Sequence, residues 1–272
     1  MKFRLLIFCV FSLVLTASAD WPVGKGRFVV LPGFNYFSTA GFFDKNGSRI
    51  PQGKDNSFSS YYFGVGITHG LARNLDIFTN VPYIQQNQVS FGVKTTRAGL
   101  ADVALGLAFH IPSESKRTHF TTRIAALLPT YTNTTTPFLG FGAKGMQVVA
   151  NYSFNPGNQQ FSIFEVTHNR FFAEDGTGPN QFSGAITWGV NFNDYYMATA
   201  NFTHMQSASA DKTFSTNLPE NKDFSYGKVT VGIGRKISRT VTPYLQGFYT
   251  VYGKNSGVGW GLGLSLITKM PF

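Results

Sequence analysis

Large apolar side chains recur at every second position along most of this chain. From Val258 to Phe272, one set of alternate positions is large and mostly apolar, and the interleaved set is mostly small or polar. The stretch from Phe182 to Phe192 repeats the pattern. Successive side chains of a β-strand point to opposite faces, so this period of two predicts strands with one apolar face.

The pattern predicts an all-β chain of about twelve strands. They cover 26–40, 57–69, 75–84, 99–111, 118–132, 146–154, 159–172, 181–192, 195–206, 226–236, 241–252 and 257–271. An even number returns both chain ends to one side and lets the first strand pair with the last. Closure is needed in lipid, where each unpaired backbone group costs several kcal/mol.

Two features favour a closed antiparallel transmembrane β-barrel over the alternative, a soluble β-sandwich. Many predicted strands reach about 9–12 residues, the length that a tilted strand needs to cross a bilayer, whereas soluble strands most often have about 5–6. Aromatic residues also gather at strand ends, as an interfacial girdle requires. They include Trp21, Phe192, Tyr195, Tyr196 and Phe272.

Connections are predicted to alternate between short periplasmic turns and longer extracellular loops, as in outer-membrane barrels. The short turns fall near 70–74, 112–116, 155–158, 191–194 and 238–240. The longer polar stretches fall near 41–56, 85–97, 133–145, 173–180, 207–224 and 253–256. The predicted location is therefore the bacterial outer membrane.

Residues 1–19 are predicted to be a secretory signal peptide, and 20–272 a single barrel domain. Lys2 and Arg4 precede a mostly apolar run, and a small-x-small pattern ends at Ala19. The run has only about 11 residues, whereas a membrane-spanning helix needs about 20. Cys9 lies inside it, so the mature chain has no cysteine for a disulfide, a thiolate metal site or a nucleophile.

Composition and charge narrow the class of protein further. Charged residues make up only 13% of the chain, against roughly 25% in soluble domains. Mean hydropathy is -0.05, too low for a bundle of membrane helices and too high for a disordered chain. Without Lys2 and Arg4 the chain has 21 basic and 13 acidic residues, a formal net charge of +8. In an exported protein this charge favours either anionic headgroups, with outer-membrane lipid and lipopolysaccharide as partners, or an anion-tolerant lumen, over nucleic acid.

Three stretches near the N-terminus together resemble a known family. They are 21–26 (WPVGKG), 64–76 (GVGITHGLARNLD), which leads to VPY at 81–83, and 99–107 (GLADVALGL). This pattern resembles the MetA-pathway-of-phenol-degradation family of outer-membrane transporters. The chain departs from the family pattern at His69-Gly70, where an acidic turn residue is usual, and at Ala101, where glycine is common. The resemblance implies passage of small molecules, aromatic or apolar ones among them, and it carries over no catalytic residues.

The terminal residue adds a targeting signal. Phe272 follows a strand of alternating large apolar residues. This ending resembles the C-terminal signature of outer-membrane barrels that the barrel-assembly machinery recognises. We therefore expect that machinery to be a partner.

Charged and polar strand residues are expected to point into the barrel, because Arg or Lys facing lipid at mid-depth costs about 2–4 kcal/mol. The candidates that line the lumen are Asp76, Asn80, Asp102, Arg123, Asn151, Glu165, Asn201, Lys228, Tyr244, Gln246, Phe248 and Lys269. Tyr252 shares the predicted inward face of Tyr244 and Phe248. Two interpretations stay open. The interior is either a mixed-charge, aromatic-lined passage or is filled by salt bridges such as Arg123 with Glu165 or Asp102.

Catalysis is not indicated by any motif. An outer-membrane lipid enzyme needs a serine nucleophile and a histidine base at the outer rim, and only His168 lies late on an upward strand, without a serine elbow beside it. The GxGxxG match at 140–145 has no strand before it and no helix after it. No spacing of His, Asp and Glu resembles a metal site. We expect no enzyme activity, no metal and no cofactor.

We therefore expect a passive transporter or narrow channel, since no ATPase motif is present. The first alternative is a structural or adhesion barrel that works through extracellular loops such as 41–56 and 207–224. The second is the outer-membrane lipid-modifying enzyme. For the channel, the further partner is a small-molecule solute.

Overall fold

The computed structural model describes residues 22–113, 117–132, 135–157, 159–172, 178–209, 223–238 and 240–270. The predicted signal peptide, Trp21, most of the 207–224 stretch and Phe272 lie outside the described residues. In the described part every regular element is a β-strand. The described residues contain no helix long and apolar enough to cross a membrane.

The strands follow one another along the chain with few interruptions. Their bounds are β1 (Phe28–Phe43), β2 (Arg49–Pro51), β3 (Ser57–Ala72), β4 (Leu75–Ser90), β5 (Val93–Leu100), β6 (Val103–Pro112), β7 (Thr118–Leu128), β8 (Lys144–Gly157), β9 (Gln160–Phe172), β10 (Asn180–Asn191), β11 (Tyr196–Ala208), β12 (Phe224–Arg235), β13 (Val241–Lys254) and β14 (Ser256–Met270).

Twelve of these strands close into an antiparallel barrel. Each pairs with its neighbour along the chain, and β14 returns to pair with β1 from Phe28↔Met270 to Phe43↔Ser256. The short β2 pairs only with the end of β1, and β5 pairs only with β4. The closed twelve-stranded architecture predicted from the alternation is confirmed.

The outer wall is apolar, as a barrel in lipid requires. On β14 the side chains of Trp260, Leu262 and Leu264 are each about half exposed, with Leu262 at 50%. The interleaved Gly261 and Gly263 are buried. Because neighbouring strands repeat this alternation, a continuous apolar band faces outward.

The predicted polar loop at 85–97 is instead a β-hairpin. β4 continues to Ser90, turns at Phe91-Gly92 and pairs with β5 from Tyr83↔Leu100 to Ser90↔Val93. The predicted strand 99–111 is broken at Ala101-Asp102, and β6 pairs with the first half of β4. The first half of β4 therefore belongs to the barrel wall, and its second half forms with β5 a hairpin that projects from the wall.

Two further predictions near the end of β13 are wrong. The stretch 253–256 is not a long loop, because β13 and β14 are joined through Asn255 alone. Tyr252 does not face inward, because a bulge shifts the register so that Gly227 pairs with Tyr252 and Lys228 with Thr250. The extra residue reverses the faces, and Tyr252 is 44% exposed on the outer wall.

Embedding in lipid predicts the effect of one outward charge. Leu262→Arg should destabilise the folded barrel by about 2–4 kcal/mol, because a cation at mid-depth is poorly solvated by hydrocarbon. Denaturant unfolding in liposomes measures the change. Val93→Arg is the matched control, because Val93 is exposed on the projecting hairpin. Equal stability of the two variants would contradict membrane embedding of this face.

Candidate functional site

The interior is packed tightly along the strands on both sides of the closure. Lys228 on β12 is 1% exposed, and its Nζ lies 5.2 Å from the centre of the Phe248 ring. Phe248 stacks on Phe37 at 6.1 Å between ring centres, and Phe37 contacts Phe58. We call Phe37, Phe58, Phe248 and Lys228 the aromatic wall. Its members face the interior but mostly cover one another.

Several polar groups in this packed half have hydrogen-bond partners. The Gln246 amide donates to Asn35 at 3.2 Å, and the Asn80 amide donates to the Tyr62 hydroxyl at 3.4 Å. The hydroxyl of Tyr244 is hydrogen-bonded to Thr199. Burying such groups without partners would cost about 1–3 kcal/mol each. Because these groups are paired, they can stay inside the packed interior without that cost.

A buried hydrogen-bonded cluster occupies the end that carries the short turns. Asp76, 1% exposed, lies 2.9 Å from Nε2 of His110, whose Nδ1 is 3.0 Å from the Thr121 hydroxyl. The same Asp76 oxygen accepts the backbone N–H of Val23 at 3.1 Å. Asp76 therefore holds the segment before β1 against the interior.

Gly70 explains how this segment approaches the barrel so closely. Its N–H donates to Arg27, and its carbonyl accepts from Gly26 at 2.8 Å. A Cβ on Gly70 would come within 1.9 Å of the carbonyl oxygen of Gly24. Two of the stretches that carry the family resemblance, 21–26 and 64–76, therefore contact each other.

The other half of the interior, along β7 to β11, is more open. Three hydrogen-bonded tiers of polar side chains, which we call the polar ladder, follow these strands at successive depths. In the tier nearest the long loops, the Gln147 amide donates to Asn169 at 3.0 Å, and the Asn169 amide donates to Gln181 at 3.4 Å. Gln147 and Asn169 are partly exposed, although they face inward.

The middle tier of the polar ladder is charged. Nη2 of Arg123 donates to Oε2 of Glu165 at 2.8 Å, and the Thr167 hydroxyl lies 3.4 Å from the other carboxylate oxygen. The Arg123 side chain is 15% exposed and the Glu165 side chain 34%. Both groups thus reach accessible space within the barrel.

The third tier of the polar ladder joins β10 to β11. The Asn201 amide donates to the Thr187 hydroxyl at 2.8 Å, and the Thr203 hydroxyl donates to Asn201 at 2.8 Å. All three side chains are partly exposed. Nearby inward apolar residues, Val149 and Ile163, are buried. The accessible surface at this depth is therefore mainly polar.

The connection from β7 to β8 folds inward over the long-loop end of the barrel. In this inner loop, described at 129–132 and 135–143, Phe138 and Leu139 are buried. Leu139 packs with Ile84 of β4. Phe141 contacts Phe171 of β9 and also packs against the buried residues of β12. Contacts with strands on different sides of the barrel mean that the inner loop crosses its mouth.

Polar contacts fix the inner loop in place. The Tyr131 hydroxyl donates to Asp102 at 2.9 Å and accepts the N–H of Gly142 at 3.0 Å. The Arg97 guanidinium of the projecting hairpin donates to the carbonyl oxygens of Thr132 and Thr135. The loop is thus held both by its own tyrosine and by the hairpin above it.

Burial changes the ionisation of the two groups in this contact. Asp102 lies in the break between β5 and β6, outside the membrane-spanning strands, and burial raises its pKa from 3.8 to about 6, against a smaller lowering by the Tyr131 hydrogen bond. Burial and the Asp102 charge raise the pKa of Tyr131. Tyr131 therefore stays protonated at neutral pH and remains a donor.

The predicted lumen residues thus fall into different surroundings. Arg123, Glu165 and Asn201 belong to the polar ladder, and Asn151 is buried beside it, accepting from Ser153 at 2.9 Å. The buried residues of the packed half are Asp76, Asn80, Lys228, Tyr244 and Gln246. Asp102 lies under the inner loop, Phe248 is partly exposed, and Lys269 is in β14 but its side chain is not described. That these residues line a passage stays a prediction.

Sequence patterns did not identify the residues of the inner loop. Tyr131, Phe138 and Phe141 lie in a stretch predicted only as a polar connection, and Arg97 lies in a predicted loop. One signal was available, since three large apolar residues in a loop of an exported barrel need cover from water. The partner of Asp76, His110, was also not assigned a role.

Comparison with known proteins defines the class that this geometry belongs to. No family model matches the chain, and no curated protein matches it. The chain is similar to the COG4313 outer membrane channel from Pseudomonas putida F1, with a TM-score of 0.75 at 10% identity, over 94% of this chain and 100% of that one. These findings define the class as closed outer-membrane β-barrels.

Two other solved barrels are also similar. The NanC porin has a TM-score of 0.52 at 9% identity over 89% of this chain and 100% of that one. The β domain of the Bordetella autotransporter BrkA has a TM-score of 0.56 at 11% identity over 90% and 100%. At such identities the likeness shows the fold alone. This particular chain is a twelve-stranded barrel of the bacterial outer membrane with the fold of channels and porins.

The raised pKa of Asp102 predicts a pH dependence of the inner loop. A carboxyl whose pKa is raised on folding contributes stability that is fully present below pH 3.8 and is lost as pH rises through about 6. A thiol placed by Phe138→Cys should therefore be modified more slowly at pH 5 than at pH 7.5. The rates are normalised to Asn46→Cys, an exposed loop position.

The control for this prediction is Asp102→Asn, which cannot titrate. In that background the normalised modification rate of the Phe138→Cys thiol should be the same at both pH values. A pH dependence that survives Asp102→Asn would assign it to another group.

Proposed function

We propose that this protein is a passive transporter or narrow channel for small molecules. The observation that carries the proposal is the partly exposed polar ladder inside a closed barrel, which offers a path that lipid does not. Similarity of fold to an outer-membrane channel and a porin supports it. Because no energy-coupling motif is present, solute would move down its gradient.

The inner loop would act as the constriction of this passage. It covers the long-loop end, and the segment held by Asp76 lies at the other end. In a twelve-stranded barrel, side chains leave only a narrow interior. Both ends would therefore limit the size of the solute.

Several finer parts of the proposal rest on the sequence. Membership of the MetA-pathway-of-phenol-degradation family, and with it a preference for aromatic or apolar solutes, comes from the resemblance near the N-terminus. Export through the signal peptide at 1–19, recognition of Phe272 by the barrel-assembly machinery, and contact with lipopolysaccharide are proposed on the same footing. Within the aromatic wall, Phe248 is the partly exposed member, and it is the ring that an aromatic solute would contact.

We infer that the protein is not an enzyme. His168, the candidate base, stacks on Phe182 with 4.4 Å between ring centres, and its Nε2 is 3.4 Å from Asn180. Its side chain shares the outward face of Phe182, where lipid headgroups would contact it. A ring used for stacking at the lipid surface suits an interfacial role better than proton transfer.

Channel function predicts single-channel conductance in planar bilayers. Arg123→Ala should shift the reversal potential toward cation selectivity, because the Glu165 carboxylate then faces accessible space without the guanidinium beside it. Lys45→Ala, in an exposed loop, removes the same charge and should leave selectivity near wild type. Bilayers that stay silent, together with unchanged solute uptake in cells, would end the proposal.

The constriction predicts the effect of a single methyl group. A Cβ on Gly140 would lie 2.1 Å from the Tyr131 hydroxyl and 2.9 Å from a carboxylate oxygen of Asp102. Gly140→Ala should therefore break that contact, loosen the inner loop and raise conductance. Gly184→Ala is the control, since nothing lies within 4 Å of its Cβ position. Equal conductance of the two variants would show that the inner loop does not limit flow.

A further inference from the structure

We infer that the polar ladder selects small solutes that carry no net charge and that form hydrogen bonds, including zwitterions, rather than apolar ones. This inference rests on the proposed passage and names its solute class. It differs from the preference that the family resemblance implies. It is carried by the chemistry of the side chains that are exposed inside the barrel.

Hydrogen-bonding capacity is present at every tier of the ladder. Side-chain amides of Gln147, Asn169 and Asn201 each offer both donors and acceptors, and the hydroxyls of Thr187 and Thr203 do the same. Their mutual hydrogen bonds fix their positions but use only part of that capacity. A solute with hydroxyl or amide groups can therefore replace its hydrogen bonds to water by hydrogen bonds to the polar ladder, one tier at a time.

The charges of the ladder oppose a charged solute. Arg123 and Glu165 lie 2.8 Å apart and cancel each other, so the middle tier has no net charge. An anion attracted by Arg123 meets the Glu165 carboxylate, which is the more exposed of the two, and a cation meets the guanidinium. A neutral or zwitterionic solute, by contrast, can align its dipole with the pair.

An apolar solute gains little from this surface. It would displace water from partly exposed amides and hydroxyls without replacing their hydrogen bonds, which is unfavourable. The apolar residues at the same depth, Val149 and Ile163, are buried and give it little contact area. In the aromatic wall, Phe37 and Phe58 are buried and turn their area toward neighbouring rings.

The test compares two amino acids of similar size and equal charge in swelling assays with proteoliposomes of the mature barrel. Glutamine and leucine are both zwitterions and differ mainly in an amide against a branched hydrocarbon. We expect glutamine to enter about fivefold faster through the wild type, the ratio that one net hydrogen bond of about 1 kcal/mol gives. Asn201→Leu, which keeps the number and branching of the side-chain heavy atoms and removes the amide, should bring the ratio close to one.

Two further variants guard against indirect effects. Thr187→Val is a smaller change in the same tier and should lower the ratio in the same direction. Thr250→Val makes the identical substitution in the packed half, where Thr250 is 1% exposed, and should keep the wild-type ratio. Heat-modifiable mobility on gels checks that each variant has folded.

The possible outcomes separate the inference from the proposed function. If the wild type passes neither amino acid, the inference is overturned, and the channel itself is ruled out only if planar bilayers are silent as well. Passage at equal rates, or faster passage of leucine, would overturn the inference while the channel stands. A ratio that is unchanged in Asn201→Leu, or that falls equally in Thr250→Val, would also overturn the role of the ladder.

Discussion

The backbone hydrogen bond between the first and the last strand is the constraint on which this structure depends. In hydrocarbon an open sheet edge leaves a row of donors and acceptors without partners, each at a cost of several kcal/mol. Pairing of β1 with β14 along nearly their whole length removes both edges at once. The alternation of side chains follows from it, because a closed sheet has one face toward lipid and one toward the interior.

Closure with twelve strands also sets the interior volume that is available to inward side chains and to solute. A twelve-stranded barrel encloses too little space for a wide channel, so most inward side chains must either pair or pack. Here the two solutions occupy different arcs of the wall. Rings and a buried lysine pack on one arc, and hydrogen-bonded amides, hydroxyls and one ion pair remain accessible on the other. Function is therefore expected on the arc where packing is incomplete.

The period of two allowed the strands and their outward faces to be predicted, because a polar side chain that faces lipid is energetically unfavourable in every strand. It failed where a local insertion resets the parity, as at the bulge that turns Tyr252 outward. It also failed at the inner loop, because the contacts of Phe138 and Phe141 are with strands far away in the sequence. The pairing of Arg123 with Glu165 could be predicted by matching opposite charges on inward faces. The three tiers of the polar ladder could not be predicted, because they depend on the register of five strands.

The way in which Arg97 holds the inner loop has a consequence for how such barrels diverge. Its guanidinium binds main-chain carbonyl oxygens of Thr132 and Thr135, not their side chains. Main-chain atoms persist through almost any substitution, so these two positions are free to vary while the attachment stays. Substitutions at these two positions would therefore change the side chains that the mouth presents and leave the attachment of the inner loop intact.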